Sequence, residues 1–333
     1  MKLLRKILWP LNVLYFLVVW CRNRCYDFGI LKSKSYDLPL ICVGNLSVGG
    51  TGKTPMVEYL VQLFEPKFRV AILSRGYGRQ SRGFQLADAN STAKTIGDEP
   101  FQMAQKFPNI TVAVDANRQR GIEMLQTLNT PPELILLDDA FQHRSVTPKF
   151  SMVLTPYSDL YCDDLVLPAG NLREPRSGAK RAQMVVVTKC PDNLHPTEKQ
   201  QIIERLDINP NQHLFFSSVA YSDTIISKTK QRPLVGLKTR KFTLVTGIAN
   251  ANPLVNHLVK LGLKFEHLEF PDHHDFSKKE LSVIASKSMI LTTEKDFSRL
   301  RFIPHEQLYY LPITIKIDTP ENFEHVLLEV VKK

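Results

Sequence analysis

The sequence lacks a cysteine framework. Its five cysteines are odd in number and form no CxxC pair: Cys21, Cys25, Cys42, Cys162 and Cys190. A disulfide-stapled fold and a zinc ribbon are both disfavoured, and a reducing compartment is expected. The sequence also lacks the bias of fibrous or disordered chains, since its 333 residues include only 15 glycines and 21 prolines. With 43% hydrophobic and 23% charged residues, it is typical of a globular protein of about two domains.

The apolar stretch near the N-terminus is too short to cross a bilayer. Residues 7–21 would reach about 22 Å as a helix, against about 30 Å of hydrocarbon. Pro10 and Asn12 interrupt the stretch, and no small-residue cleavage site follows it. It contains three aromatic residues that favour a membrane interface: Trp9, Tyr15 and Trp20. We expect a monotopic helix in the interface. A helix packed on the protein's own core, or a spanning or cleaved segment, is the alternative.

Acidic residues are scarce in two segments. The net charge is +10, and residues 1–34 and 228–241 each carry +6, which leaves −2 for the remainder. A nucleic-acid binder usually spreads its basic residues over one folded face. Two short basic segments suit an anionic membrane surface at least as well. We therefore expect a membrane contact and no nucleic-acid partner.

From residue 38 short apolar runs alternate with helical patterns, which predicts an α/β fold with a mostly parallel sheet. Strands are predicted near 39–44, 69–74, 111–114, 133–138, 150–154, 184–188 and 214–219, with helices near 54–65, 98–107, 117–128 and 197–205. A second α/β unit is predicted from strands near 242–246, 264–270, 288–292 and 307–312, with helices near 253–261, 277–286 and 320–331. The expected segments are a membrane-associating segment 1–34, a larger domain 35–226, a linker or small hairpin 227–241 and a smaller domain 242–333.

A glycine-rich loop follows the first of these strands. Residues 44–54 read GNLSVGGTGKT, and Pro55 opens an apolar-periodic helix. Strand, glycine loop and helix are the context of a phosphate-binding P-loop, although Ser47 stands where the pattern has glycine. Backbone N–H groups and the helix N-terminus would hold phosphates, Lys53 would reach the β- and γ-phosphates, and Thr54 would hold Mg²⁺. The predicted nucleotide contacts are Ser47, Val48, Gly49, Gly50, Thr51, Gly52, Lys53 and Thr54.

Acidic residues occupy two further positions of interest. Asp138 and Asp139 end an apolar strand, and the carboxyl ends of strands face the ligand crevice in open α/β sheets. One of them could hold Mg²⁺. Asp98 and Glu99 follow Gly97 at a predicted helix start. They are either carboxylates near the reacting phosphate or simple helix-capping acids.

Several loops carry side chains suited to anions or sugars. Four of them read SRGYG (74–78), DANR (115–118), QHR (142–144) and GNLREP (170–175). Arginine suits phosphate through its fork of donors, although each residue taken singly is more often a solvated surface residue. In the second unit, residues 271–275 read PDHHD. Because the two histidines are adjacent, a histidine–carboxylate pair that handles protons is favoured over a zinc site.

As a set, these motifs resemble the tetraacyldisaccharide 4′-kinase family, the lipid A 4′-kinases of Gram-negative bacteria. The resemblance covers about residues 40–300 in order, and the hydrophobic, basic N-terminus matches the family's membrane-bound character. The matching segments are 43–55, 74–78, 97–100, 137–143, 167–175, 187–189, 246–250, 271–273 and 293–296.

The resemblance implies ATP-dependent phosphorylation of the 4′-hydroxyl of a tetraacyl glucosamine disaccharide 1-phosphate, which gives lipid IV-A. It implies a P-loop domain, a ribbon-like linker and a smaller domain that closes over ATP. Asp98 would be the catalytic base, His273 its hydrogen-bond partner and Lys53 a catalytic cation. The candidate Mg²⁺ ligands are Thr54, Glu99, Asp138 and Asp139. The candidate substrate contacts are Arg75, Arg118, Gln142, His143, Asn171, Arg173 and Glu174. We expect a monomer at the cytoplasmic face of the inner membrane.

The sequence departs from the family pattern at two positions. Ala140 replaces a frequent glycine, and Asn171 replaces a frequent proline, which weakens a role for the Asn171 side chain. The alternative is a membrane-associated P-loop ATPase switch similar to the Min and Par proteins. Those proteins typically carry a lysine at the place of Val48 and lack a separate C-terminal α/β unit.

Overall fold

The computed structural model describes residues 9–272, 274–300, 303 and 306–332. The chain divides into two compact units. Unit 1 comprises Met1–Val219 and Ile315–Lys333, and unit 2 comprises Ala220–Thr314. Unit 2 is thus an insertion between two parts of unit 1.

The helices and strands alternate along the chain. The helices are α1 (Trp9–Asp27), α2 (Lys53–Phe64), α3 (Ala93–Ile96), α4 (Asp98–Lys106), α5 (Arg118–Gln126), α6 (Pro196–Leu206), α7 (Asn252–Lys260), α8 (Lys278–Ala285), α9 (Glu294–Leu300) and α10 (Pro320–Lys332). The strands are β1 (Leu40–Asn45), β2 (Val70–Ser74), β3 (Gln85–Leu86), β4 (Thr111–Val114), β5 (Leu134–Asp138), β6 (Phe150–Pro156), β7 (Met184–Thr188), β8 (His213–Tyr221), β9 (Thr224–Ile226), β10 (Gln231–Pro233), β11 (Phe242–Thr246), β12 (Phe265–Glu269), β13 (Ile290–Thr293), β14 (Leu308–Leu311) and β15 (Ile313–Ile317).

Unit 1 is built on a nine-stranded sheet of order β15-β8-β7-β6-β1-β5-β2-β4-β3. The pairs from β8 through β7, β6, β1, β5 and β2 to β4 are all parallel, and β3 pairs antiparallel with β4. The mostly parallel α/β fold predicted from the alternating patterns is therefore confirmed. Strand β1 lies in the middle of this sheet, so the loop that follows it opens at the centre of the carboxyl edge.

Both faces of the unit 1 sheet are buried. Alternate residues of β1 enter two separate apolar clusters: Leu40 and Cys42 pack in the cluster that contains Ile122 of α5, whereas Ile41 and Val43 pack in the cluster that contains Met56 of α2. Strands covered on both faces read as continuous apolar runs. This explains why LICV, LILL and MVVV were recognisable as strands from the sequence.

Helix α1 is longer than the apolar stretch that predicted it. It begins at Trp9 and continues through the basic residues to Asp27; residues 7 and 8 lie outside the described part of the chain. Its large apolar side chains are mostly exposed, as Leu14 and Val18 are at 60% each. Among the described residues, no helix is long and apolar enough to cross a membrane.

Unit 2 has its own six-stranded sheet, of order β10-β9-β14-β13-β11-β12. Strands β14, β13, β11 and β12 are parallel, whereas β9 and β10 form an antiparallel hairpin at the edge. The basic segment 227–241, predicted as a linker or hairpin, contains the turn and the second strand of this hairpin and then a short 3₁₀ helix. Leu234 and Leu237 of that helix are buried in the core of unit 2.

The structure places the end of the chain differently from the expected smaller domain 242–333. Ile317, Phe323 and Leu327 are buried in the unit 1 core together with residues of α2. The ring of Phe323 packs edge-on against Phe215 at 5.1 Å between centroids. An apolar periodicity predicts a helix but does not say which sheet covers it, so the return of the chain to unit 1 could not be read from the pattern.

Candidate active site

The glycine loop forms a tight turn between β1 and α2. Gly49 and Gly52 adopt φ values of +106° and +90°, a region that side-chain-bearing residues rarely occupy. Gly52 directly precedes Lys53, the first residue of α2. The loop therefore places a helix N-terminus with partial positive charge at the centre of the sheet edge, which is an anion site.

Buried polar contacts hold the loop. The side-chain amide of Asn45 donates to the carbonyl of Ser47 at 2.7 Å and to the hydroxyl of Thr51 at 2.9 Å. The backbone N–H of Val48 donates to the carbonyl of Asn171 at 2.8 Å. Ser47, which stands where the P-loop pattern has glycine, is itself buried. Ser47 has no positive φ among the described residues, so the backbone there does not require glycine.

Three charged residues meet beside the loop. The ammonium of Lys53 lies 3.6 Å from Oδ1 of Asp139. One guanidinium nitrogen of Arg173 lies 2.9 Å from each oxygen of the same carboxylate. Asp139 has a positive φ of 48°, which turns the chain at the end of β5. One carboxylate thus orients two cations that can bind phosphate.

Carboxylates crowd the far side of the loop. The Thr54 hydroxyl lies 3.4 Å from Oε1 of Glu99, and the Ser74 hydroxyl donates to Asp138 at 2.9 Å. Burial, together with the negative charges of Glu99 and Asp139, raises the pKa of the Asp138 carboxyl to about 7. Such crowding of like charge is what a bound divalent cation relieves.

The donor set fits Mg²⁺ held partly by phosphate. Within the described ranges, no three carboxylate, imidazole or thiolate side chains converge as a metal site, so the protein alone offers no complete cage. Mg²⁺ commonly uses one or two carboxylates together with substrate phosphates and water. The hydroxyl of Thr54 and the carboxylates of Glu99, Asp138 and Asp139 are the oxygen ligands available there.

Asp98 lies at the first position of α4. Gly97 before it has a φ of +97°, and a Cβ there would approach the backbone of Gly76 and Tyr77 at 3.1–3.2 Å. This close contact ties the SRGYG loop after β2 to the start of α4. The start of α4 then carries Asp98 and Glu99, and the carboxylate of Glu99 faces Thr54.

Arg118 is enclosed, whereas Arg75 is exposed. The Arg118 side chain is 2% exposed. It donates to the backbone carbonyls of Asp115 at 2.6 Å and of Asp138 at 3.4 Å. Its guanidinium therefore joins the ends of β4 and β5. The predicted contact of Arg118 with the substrate stays a prediction.

A hydrogen-bonded pair links two of the other candidate contacts. Gln142 donates to the carbonyl of Asn45 at 2.7 Å and to Glu174 at 2.9 Å. Glu174 is 1% exposed and pairs with Arg181 at 2.8 Å. Asn23 of α1 donates to the same carboxylate at 3.1 Å. Glu174 therefore connects the N-terminal helix to the segment that carries Arg173.

His143 stands among cations. Its Nε2 atom is buried and has no hydrogen-bond partner among the residues that the structure describes. Burial, followed by the charges of Arg118, Arg22 and Arg75, lowers the pKa of His143 to about 4. The imidazole is thus neutral at pH 7, with one ring nitrogen ready to bond a hydroxyl or a phosphate oxygen.

Asn171 is hydrogen-bonded within its own loop. Its backbone N–H and its side-chain amide both bond to Oδ2 of Asp164, at 3.0 and 2.9 Å. Its carbonyl accepts from Val48 of the phosphate loop. The side chain therefore bonds within its own loop, and its predicted contact with the substrate stays a prediction.

The sequence analysis missed two polar residues of the site. Asn45 and Ser74 end β1 and β2 and are buried, and they bond to the phosphate loop and to Asp138. The signal that singled out Asp138, a polar residue at the carboxyl end of a buried strand, would also have found them.

Only part of the Pro-Asp-His-His-Asp segment can be placed. His273 lies outside the described residues. His274 bonds to Glu280 at 3.1 Å within unit 2. Asp296 is fully buried and accepts from the N–H of Gly247 at 2.9 Å and from Thr293 at 2.7 Å. It joins two of the motif segments, 246–250 and 293–296, at the carboxyl edge of the unit 2 sheet.

A P-loop before a helix, with a lysine, a threonine and several acids at the carboxyl edge of a parallel sheet, defines a nucleotide-dependent phosphotransferase of the P-loop class. The tetraacyldisaccharide-1-P 4′-kinase model matches residues 4–332, and the chain belongs to this family.

Similar proteins agree with this assignment. The chain is 50% identical to a tetraacyldisaccharide 4′-kinase of Flavobacterium johnsoniae, over all of this chain and 99% of the relative. It is 46% identical to a protein of the same name in Bacteroides thetaiotaomicron, over 94% of this chain and 89% of the relative. The crystal structure of LpxK from Aquifex aeolicus in complex with ATP is 32% identical, with a TM-score of 0.80 over 98% of this chain and 99% of that one. The kinase interpretation is confirmed, and it displaces the ATPase switch.

Proposed function

We propose that the chain transfers the γ-phosphoryl group of ATP to the 4′-hydroxyl of a tetraacyl glucosamine disaccharide 1-phosphate, and so makes lipid IV-A. The observation that carries the proposal is the convergence on one loop of Lys53, Thr54, Glu99 and Asp139, with Asp98 next to Glu99. Phosphoryl transfer depends on positioning and on charge neutralisation, and this arrangement supplies both.

ATP is bound by the loop from Ser47 to Thr54. Backbone N–H groups at the start of α2 face its phosphates, and Lys53 and Arg173 lie on the side of Asp139. Thr54, Glu99, Asp138 and Asp139 are the residues that hold Mg²⁺. When bound, this ion neutralises the charge of the β- and γ-phosphate oxygens.

Asp98 is the proposed base. The 4′-oxygen bonds to the γ-phosphorus as the bond from phosphorus to the β–γ bridging oxygen breaks. The hydroxyl proton passes to the Asp98 carboxylate, and ADP leaves. A sugar hydroxyl is a poor nucleophile at pH 7, so a carboxylate placed to accept its proton is worth about 10²–10⁴-fold in rate.

The acceptor is held by residues on the α1 side of the site. His143 offers its neutral imidazole, and Arg75 and Arg173 offer charge to the substrate's phosphate. Gln142 and Glu174 offer polar contacts, although their observed hydrogen bonds also shape the loop. Arg118 and Asn171 contribute indirectly, through Asp138 and the phosphate loop.

Helix α1 is the proposed membrane contact. Exposed apolar residues such as Trp9, Leu14 and Val18 would enter the interface of the inner membrane at its cytoplasmic face. Hydrogen bonds tie the helix to the site: Tyr15 donates to the carbonyl of Arg173 at 2.9 Å, and Arg22 to that of Gln142 at 2.7 Å. A monomer then holds the site at the height of the lipid head groups.

The test is transfer of labelled γ-phosphate from ATP to the detergent-dispersed disaccharide 1-phosphate lipid, with Asp98→Ala and lipid-free reactions beside it. We expect lipid-dependent transfer that falls by about 10²–10⁴-fold in the variant. ATP hydrolysis without transfer, stimulated by bare membrane, would contradict the proposal.

A further inference from the structure

Two side chains at the carboxyl end of β7 reach the phosphate loop. The hydroxyl of Thr188 donates to the carbonyl of Thr51 at 2.7 Å. The ammonium of Lys189 donates to the carbonyl of Gly50 at 2.5 Å. Strand β6 separates β7 from β1 in the sheet, so these bonds join the loop to a strand that is not its neighbour.

The two bonds fix consecutive peptide groups of the loop. In a trans peptide the carbonyl and the N–H point in opposite directions. Because the carbonyls of Gly50 and Thr51 are directed at β7, the N–H groups of Thr51 and Gly52 point away from it. Loops of this kind hold anions through their N–H groups. The N–H of Thr51 donates within the loop, to the carbonyl of Gly49 at 3.0 Å. The β7 side chains therefore hold this turn and set the direction of the Gly52 donor.

Thr188 and Lys189 are themselves held firmly. Thr188 is buried, and its carbonyl accepts from the N–H of Tyr157 at 2.8 Å. Lys189 has a positive φ of 57°, and the next residue, Cys190, donates from its backbone to Ser217 at 2.9 Å. The end of β7 is thus anchored to its neighbours in the sheet, and it adds two bonds to those by which Asn45 holds the loop.

Two glycines of the loop face these side chains. A Cβ on Gly52 would lie at van der Waals distance, 3.6 Å, from the Cβ of Thr188, and one on Gly50 would lie 3.7 Å from the Lys189 ammonium. The side chains at the end of β7 thus lie directly against the glycines of the loop.

We propose that Thr188 and Lys189 are positioning residues for ATP: they hold the 50–52 segment with the Gly52 N–H directed at the phosphates, and the Lys189 ammonium polarises the Gly50–Thr51 peptide. This inference rests on the proposed binding of ATP by the loop. Lys53 is the cation of the loop that reaches the phosphates, whereas Lys189 is a cation that acts on the loop backbone.

The test uses the full-length chain and four variants. Thr188→Val removes the hydroxyl at nearly constant volume, and Thr188→Ser retains it. Lys189→Met removes the ammonium but keeps an apolar stem. Lys149→Met is the matched control, since Lys149 is exposed and precedes β6 at the opposite edge of the sheet. Each is titrated with Mg·ADP, assayed for the KM of ATP and of the lipid acceptor, and melted without nucleotide.

We expect the Kd of Mg·ADP and the KM of ATP to rise about 3- to 10-fold in Thr188→Val and about 10-fold in Lys189→Met. The KM of the lipid should stay constant, and Thr188→Ser and Lys149→Met should match the parent. Unchanged nucleotide affinity in both loss variants would overturn the inference, as would equal rises in the KM of ATP and of lipid together with a lowered melting temperature. A parent chain that binds no Mg·ADP would instead contradict the proposed function.

Discussion

The carboxylate of Asp139 lies between two cations, because Arg173 approaches both of its oxygens at 2.9 Å and Lys53 lies 3.6 Å from one of them. Lys53 belongs to the helix after the phosphate loop, and Arg173 belongs to the segment that also contacts α1. Asp139 is therefore the point where the ATP side and the acceptor side of the site are joined by charge.

Replacing Asp139 should weaken the action of both cations. We expect Asp139→Asn to lower kcat/KM for ATP by about 10- to 100-fold, because charge-assisted hydrogen bonds are worth about 1.5–3 kcal/mol. Arg173→Gln should lower it by a smaller factor. In the double variant the loss of transition-state stabilisation should be smaller than the sum of the two single losses, since both substitutions remove the same interaction. Strict additivity in this double-mutant cycle would show that the contact has no part in catalysis.

The ionised carboxylate of Asp138 should lower the free energy of unfolding of the chain, although kinase activity requires it. Its pKa of about 7 lies above its ordinary value of 3.8, so between these values the folded chain keeps a proton that the unfolded chain has released. Stability contributed by this group is therefore lost as pH rises from about 4 to 7.

Asp138→Asn should remove that loss, because the amide oxygen can still accept from Ser74. At pH 8, without Mg²⁺, we expect a melting temperature higher by about 2–4 °C for each kcal/mol of relieved repulsion, together with loss of kinase activity. The gain should be smaller at pH 5 and should vanish below about pH 4, which thermal melts at these pH values would check. A destabilised variant at pH 8 would contradict this account.

His143 should make the folded chain sensitive to mild acid. Its pKa of about 4 lies below its ordinary value of 6.5, so between them the unfolded chain binds a proton that the folded chain does not. Its contribution to stability is complete above about pH 6.5 and is lost as pH falls toward 4. Urea unfolding of His143→Gln between pH 7.5 and 4.5 should show a shallower decline than the parent. Parallel curves would show that the imidazole is not held neutral.

The exposed face of α1 should govern binding to lipid surfaces. Replacing Leu14, Leu17 and Val18 by serine removes exposed apolar area without touching the residues that tie the helix to the site, such as Asn23. We expect vesicle co-sedimentation weaker by about 10-fold, a raised KM for the lipid and an unchanged KM for ATP. Val259→Ser with Val283→Ser, at exposed valines of unit 2, is the control. Unaltered sedimentation of the triple variant would rule out this contact.

The elements and the phosphate loop could be predicted from the sequence because they depend on local patterns. Strands such as Leu134–Asp138 are continuous apolar runs between helical repeats. The Gly49–Thr54 segment could be predicted as a phosphate loop because that motif is defined by residue types and their spacing. The N-terminal helix was also predicted, but six residues of its basic end, from Arg22 to Asp27, were not.

The division of labour among the polar residues could not be predicted, because it depends on burial and distance. Arg118 and Arg75 look alike in the sequence, yet one is enclosed under Asp138 and the other is exposed. Glu174 gives no sign of its bonds to Gln142, Arg181 and Asn23, which come from distant segments. Long-range pairs of this kind are set by the tertiary fold.

The insertion of unit 2 within unit 1 has a consequence for synthesis on the ribosome. Unit 2 is one continuous segment, so all of it has emerged before β15 and α10 are available. The larger sheet then receives its last edge strand, and the core beneath Phe323 closes, only after unit 2 has left the exit tunnel. Until that moment the apolar surface of β8 and α2 that Phe323 covers is open to chaperones. A chain truncated after residue 314 should therefore contain a native unit 2 and an incomplete, protease-sensitive unit 1.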